Sequence, residues 1–151
     1  MKNGFTLLEI IVVIAILVTT TSLSIGPLID FRNAQILSKG ASDVLSFVKE
    51  ARSRTLASKD FSQYGIHFEA DDVVLFKGNT FVELDPDNES LSLGSGIEIS
   101  DISLNGGGSD LVFDRLTGQT GEYGTTTLRL KSDPSKFKNI VISQLGVSEI
   151  K

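Results

Sequence analysis

Gly4-Phe5-Thr6-Leu7-Leu8-Glu9-Ile10, running into an apolar stretch that ends at Leu23, decides how this chain is read. Glu9 is the one charged residue from Phe5 to Leu23. The rest is Leu, Ile, Val, Ala, Phe and the hydroxyl cluster Thr19-Thr20-Thr21-Ser22, whose side chains can bond back to helix carbonyls. About 20 apolar residues at ~1.5 Å each cross a bilayer core, so the segment reads as a membrane helix. A carboxylate among aliphatic side chains costs several kcal/mol there, and Glu9 therefore needs a partner or a purpose.

Three readings compete. A secretory signal has a basic n-region and a small-x-small cleavage site; here the n-region is Met1-Lys2-Asn3 and Ser22-Leu23-Ser24 is a poor cut site. A plain single-pass anchor accounts for the apolarity and leaves Glu9 unexplained. The third fits position by position: Gly4 through Ile10 resembles the signal of the type IV pilin family. That resemblance implies cleavage between Gly4 and Phe5 by a prepilin peptidase on the cytoplasmic side, with N-methylation of the new Phe5 amine. It further implies retention of the apolar helix. The cationic amine of Phe5 would lie one helical turn from Glu9, and in a filament core the two charges could neutralise one another within or between subunits.

The expected organisation is a leader over 1–4, a transmembrane and filament-core helix over 5–29, and an extracytoplasmic domain over 30–151. Gly26-Pro27 is expected to kink the first helix or melt it briefly rather than stop it, since proline removes a backbone donor and clashes with the preceding turn but helical pattern resumes at once. The pattern then turns amphipathic over 30–58. Ile36, Leu37, Ala41, Val44, Leu45, Val48 and Ala51 share one face, with Lys39, Asp43, Glu50 and Arg54 on the other. Val44 through Leu56 also resembles the H-type minor pseudopilin (GspH/FimT) group, in which an Ala-Arg pair closes this helix. Ala51-Arg52 as an ordinary solvated last turn is the competing reading.

Over 62–151 the period becomes that of strands. Tyr64, Ile66 and Phe68 alternate with Gly65, His67 and Glu69; Val73–Phe76 returns; Thr80–Leu84 is expected as a third strand. Asp85–Gly96 reads as a polar loop. Ile97–Ile99 and Ile102–Leu104 follow out of phase, which predicts a bulge at Ser100-Asp101. Strands near 111–114, 126–130, 138–143 and 146–150 complete the set. Val112–Gly118 and Ile140–Val147 resemble the pseudopilin family's later strand, glycine turn and closing hairpin, less specifically than the N-terminus does. The fold class expected is α+β and pilin-like: a long N-terminal α-helix packed on a small antiparallel β-sheet.

Composition narrows the function. The chain has 151 residues, 40% hydrophobic, enough for one anchor and one modest domain, with a net charge of −5. It has no cysteine, hence no disulfide of the kind many pilins carry and no thiol nucleophile. Its one histidine, His67, reads as a solvated strand residue and excludes a multi-histidine metal centre. No Gly-x-Ser-x-Gly elbow or phosphate loop is present, and no enzyme or cofactor is expected. Asp85, Asp87 and Glu89 alternate as calcium ligands do, but Ser90 and Gly96 stand where an EF-hand needs glycine and glutamate, and a solvated acidic loop is the better reading. Between Asp60 and Glu122 thirteen acids face two bases, which argues against a nucleic-acid surface.

The function expected is a structural subunit of a type IV pilus or type II secretion pseudopilus. It would sit in the cytoplasmic membrane with its domain outside, then pass into a filament. Its partners, as the resemblance implies, are other pilin subunits, the peptidase, and an assembly platform with its ATPase. The alternative is a DNA-binding minor pilin of an uptake pilus, for which the tail Val147-Ser148-Glu149-Ile150-Lys151 lacks the arginines such a role would want.

Overall fold

The computed structural model describes residues 4–151, with the side chains of 22–27 outside the described set. Two compact units make up the chain, Met1–Ala34 and Gln35–Lys151. A single helix, α1 (Leu7–Leu56), contributes to both. It runs helical across Gly26 and Pro27; the kink or short melted stretch expected there falls among residues whose side chains are not described. In the first unit the threonines bond back as expected, with Thr19 Oγ1 donating to the Ala15 carbonyl at 2.9 Å and Thr21 Oγ1 to that of Leu17 at 2.7 Å. Among the described residues, no helix is long and apolar enough to cross a membrane.

In the second unit α1 lays the expected stripe into the core. Leu37, Ala41, Val44, Val48 and Ala51 are buried, and Ile36 and Leu45 pack at its margin. Eight strands follow: β1 (Tyr64–Phe68), β2 (Asp72–Lys77), β3 (Glu89–Ser92), β4 (Ile97–Leu104), β5 (Asp110–Val112), β6 (Gly124–Leu130), β7 (Phe137–Ile142) and β8 (Ser148–Ile150). They form two four-stranded antiparallel sheets, ordered β3-β2-β1-β5 and β4-β6-β7-β8, where one small sheet was expected. Both contribute to one core with the helix, through Ile66, Phe68, Leu75, Leu111 and Phe113 from the first sheet and Ile97, Leu128, Leu130, Ile140 and Ile142 from the second. The bulge is where the phase slip placed it: the β4–β6 register shifts between Ile99 and Asp101.

Two expectations need correction. Thr80–Leu84 is not a strand, and the edge of the first sheet is taken by Glu89–Ser92, inside the stretch read as a polar loop. The Phe81 ring instead covers the outer face of the first sheet, edge-on to Phe76 at 5.7 Å and stacked on His67 at 4.0 Å. That explains why four consecutive residues of β2, Val73–Phe76, are buried although only Val73 and Leu75 belong to the main core.

Candidate functional site

The first unit presents its aliphatic side chains outward. Phe5 and Leu7 are each 79% exposed, and Ile10, Val13, Ile14 and Leu17 are all exposed. Apolar side chains at i, i+3, i+4 and i+7 share one helical face. Phe5, Glu9, Ile10, Val13 and Ile14 line a shallow groove of about 260 Å³ there, which sets Glu9 against apolar side chains. Thr6 organises the helix start: its Oγ1 accepts the Glu9 N–H at 3.3 Å and its carbonyl the Ile10 N–H at 3.2 Å. Thr6-x-x-Glu9 is the capping-box pattern, a signal legible in the sequence that the apolar reading passed over. Of the processing residues, Gly4 and Phe5 are described, and residues 1–3 of the expected leader lie outside the described set.

In the second unit the end of α1 is held on two flanks. Arg52 is the residue that could have been an idle last-turn cation, and it is not. Its Nε donates to the Gly118 carbonyl at 3.0 Å and its Nη2 to the Leu145 carbonyl at 3.1 Å, fastening the turn after β5 and the β7–β8 hairpin to the helix. Both turns need glycine. At Gly146 φ is +75°, and a Cβ would stand 1.9 Å from the Gly118 carbonyl oxygen and 2.7 Å from Arg52 Nε. About 200° around the helix, since each residue advances 100°, Arg54 faces the other way. Its Nη2 donates to Glu50 at 2.6 Å and Glu89 at 2.8 Å, and its guanidinium lies 5.9 Å from the centre of the Tyr64 ring. The hydrogen bond to Glu89 raises the Arg54 pKa further, and the same bond lowers that of Glu89. Burial, then the hydrogen bond to Asp60, pushes the Tyr64 phenol up. Thr55 closes this end, its buried Oγ1 bonded to the Ala51 carbonyl and to the Tyr64 N–H, each at 2.9 Å.

The residues weighed for chemistry are dispersed. Asp85 Oδ1 accepts the Asp87 N–H at 2.8 Å in a local turn, Asp87 lies 3.8 Å from Lys77, and Glu89 is held by Arg54. Among the described residues, no cluster of three His, Cys, Asp or Glu could hold a metal ion. His67 is not the solvated residue expected: its ring lies against Phe81, with Nδ1 in a short contact to Asp110 and Nε2 3.6 Å from Glu69. Stacking and flanking carboxylates give it a structural part in covering the sheet.

Compared with models of known protein families and with curated proteins, the sequence matches none. Among solved structures it is similar to the type IV minor pilin FimU of Pseudomonas aeruginosa. The TM-score is 0.55 at 14% sequence identity, over 76% of this chain and 92% of that one. Identity that low speaks to architecture alone. The long N-terminal helix and the antiparallel sheets of this chain form a type IV pilin fold.

Proposed function

We propose that the chain is a structural, non-enzymatic subunit of a type IV pilus or type II secretion pseudopilus, of the H-type minor group. The observation that carries this reading is a type IV pilin fold whose first helix exposes an aliphatic face around one acid, Glu9. Side chains such as Ile10, Val13 and Leu17 have no reason to stand in water, and lipid followed by a bundle of like helices gives them an apolar surrounding at both stages. Moving from lipid to such a bundle changes apolar exposure little, so register must come from shape and from Glu9 paired with the Phe5 amine. On this reading the peptidase acts at Gly4-Phe5, the domain lies outside the cytoplasmic membrane, and the assembly ATPase and platform supply the work.

The test is the mature N-terminus and its consequence. Mass spectrometry of the native protein should find N-methyl-Phe5; a terminus beyond Ser22 would identify an ordinary signal peptide and end the filament reading. Glu9→Gln should leave insertion and cleavage intact while its recovery in sheared filaments falls by roughly tenfold or more, because an uncompensated buried charge costs several kcal/mol. Wild-type recovery of Glu9→Gln would refute the pairing.

A further inference from the structure

We propose that the groove beside Arg52 is the seat for the Val82-Glu83-Leu84-Asp85 loop of a second copy of this chain. The inference rests on the filament reading and names a contact between the globular domains. The groove has a volume of about 370 Å³, with Lys49, Arg52, Leu56 and Val147 among its lining residues. Apolar side chains are exposed around it: Val147 is 57% exposed, Leu145 62%, and Leu116, in the same turn as Gly118, 79%. Its two lining cations, Lys49 and Arg52, also lack a carboxylate. In a chain of net charge −5, neither forms an ion pair among the described residues, Arg52 being bonded to two backbone carbonyls, whereas Arg54, Lys77, Arg129 and Lys131 each have a carboxylate. A cationic, apolar groove on an acidic protein calls for an acidic, apolar occupant.

The chain carries such a segment in Val82-Glu83-Leu84-Asp85. Leu84 is 92% exposed and Val82 58%, with Glu83 exposed between them. Apolar and acidic residues alternate through Val82-Glu83-Leu84-Asp85, and Glu83 has no ion pair among the described residues. The loop is already shaped: Asp85 N–H and Asn88 Nδ2 both donate to the Val82 carbonyl, at 3.2 and 2.8 Å, so little ordering remains to oppose docking. It leads directly into Glu89, on the Arg54 flank of the helix end, while the groove is on the Arg52 flank. With loop and groove reached from different flanks of the helix end, each copy can offer its loop to one neighbour and its groove to the next. A head-to-tail contact of that kind gives an open helical array wherever its rotation does not close into a ring.

The absence of native cysteine makes the test clean. Two differently tagged full-length copies are co-expressed in membranes, one carrying Leu84→Cys and the other Val147→Cys, and treated with a mild oxidant. Disulfides form only where Cα atoms approach to about 4.4–6.8 Å, so the mixed cross-link should exceed that of Leu84→Cys with Asp101→Cys by roughly tenfold or more. Adding Glu83→Lys to the loop copy should abolish it, and Lys49→Glu in the groove copy should restore it. A mixed cross-link no stronger than the control, or one indifferent to Glu83→Lys, overturns the proposal. A salt-sensitive DNA gel shift lost in Lys49→Glu, without cross-linking, overturns it in favour of a nucleic acid. Filaments that contain the chain but give no cross-link refute this contact alone; cross-links without filaments refute the filament reading and leave the contact standing.

Discussion

Removing the Arg52 side chain tests whether the end of α1 is fastened to the C-terminal turns or merely lies beside them. Arg52→Ala deletes two charge-assisted hydrogen bonds, to the carbonyls of Gly118 and Leu145, at 3.0 and 3.1 Å. Such bonds contribute about 1.5–3 kcal/mol each when dry. Arg52 is partly exposed, so solvent screening reduces each to roughly 1 kcal/mol. The two carbonyls are not equivalent afterwards. Leu145 is exposed and can turn to water, whereas Gly118 is buried and its oxygen loses a partner at a further cost of about 1 kcal/mol. The sum is about 2–3 kcal/mol, or a fall in Tm of roughly 8–12 °C for a domain of this size. Thermal unfolding of the full chain in detergent, followed by circular dichroism, reads the total. Hydrogen exchange reads its location: amides of 117–120 and 143–147 should lose protection before those of β1 and β2. Arg52→Lys should recover about half, because an ammonium lacks the guanidinium fork that reaches both oxygens. An Arg52→Ala protein within ~0.5 kcal/mol of wild type, with exchange unchanged at both turns, would return Arg52 to the status of a solvated last-turn residue.

Two further outcomes follow from the second unit. Thr126 is fully buried and its Oγ1 has no hydrogen-bond partner, so Thr126→Val should raise stability by about 1 kcal/mol in urea titration; a loss of that size would mean the hydroxyl is satisfied by water. Stability should also fall on acidification below the ordinary Glu pKa of 4.5. The Arg54 hydrogen bond depresses the folded pKa of Glu89, so the unfolded chain binds more protons in that window and the contribution is lost as pH falls through the folded value. Glu89→Gln should flatten that acid limb in pH-dependent melts while leaving the limb above pH 6 parallel to wild type; an unchanged acid limb would refute the assignment.

Where side chains alternate against a buried face, the sequence is sufficient. The stripe Leu37, Ala41, Val44, Val48 and Ala51, and strands such as β6, are visible because burial on one side imposes a period, while β2 is visible as a continuous apolar run, Val73–Phe76. The errors occur where that link fails. Glu89-Ser90-Leu91-Ser92 is an edge strand in which Leu91 alone is partly buried, so its pattern is indistinguishable from a polar loop. Thr80-Phe81-Val82-Glu83-Leu84 has the composition of a strand without being one, because Phe81 packs over His67 and Phe76 while Val82 and Leu84 face solvent. Alternation also says which residues face a core but not which strands pair, and so the division into two sheets was hidden. The two bonds of Arg52 span 66 and 93 residues. Only the glycines at 118 and 146 hint at them, and many glycines serve looser turns.

Glu9 carries two roles that differ in size. Its N–H is bonded to Thr6 Oγ1 at the first turn of α1, and a carboxylate in that turn also favours the helix dipole. Capping of this kind contributes about 1 kcal/mol, and a dipole contact at an exposed end less. The cap requires no acid, and the dipole contact, which does, is the smaller of the two. The bond to Thr6 uses the backbone N–H of residue 9, which any residue but proline keeps. An acid in an otherwise uncharged apolar run, by contrast, costs several kcal/mol on entering lipid unless something cationic meets it. A local role worth about 1 kcal/mol cannot offset a penalty several times larger, so on the proposed filament reading the charge is recovered in another state of the chain. The Phe5 amine is the cation that cleavage after Gly4 would create, and a free amine at a helix start is itself opposed by the dipole. Each charge is unfavourable in the apolar phase without the other. Substitution by glutamine keeps the side chain's size and removes only the charge, whereas Glu9→Ala also removes bulk, which is why Glu9→Gln separates filament pairing from packing.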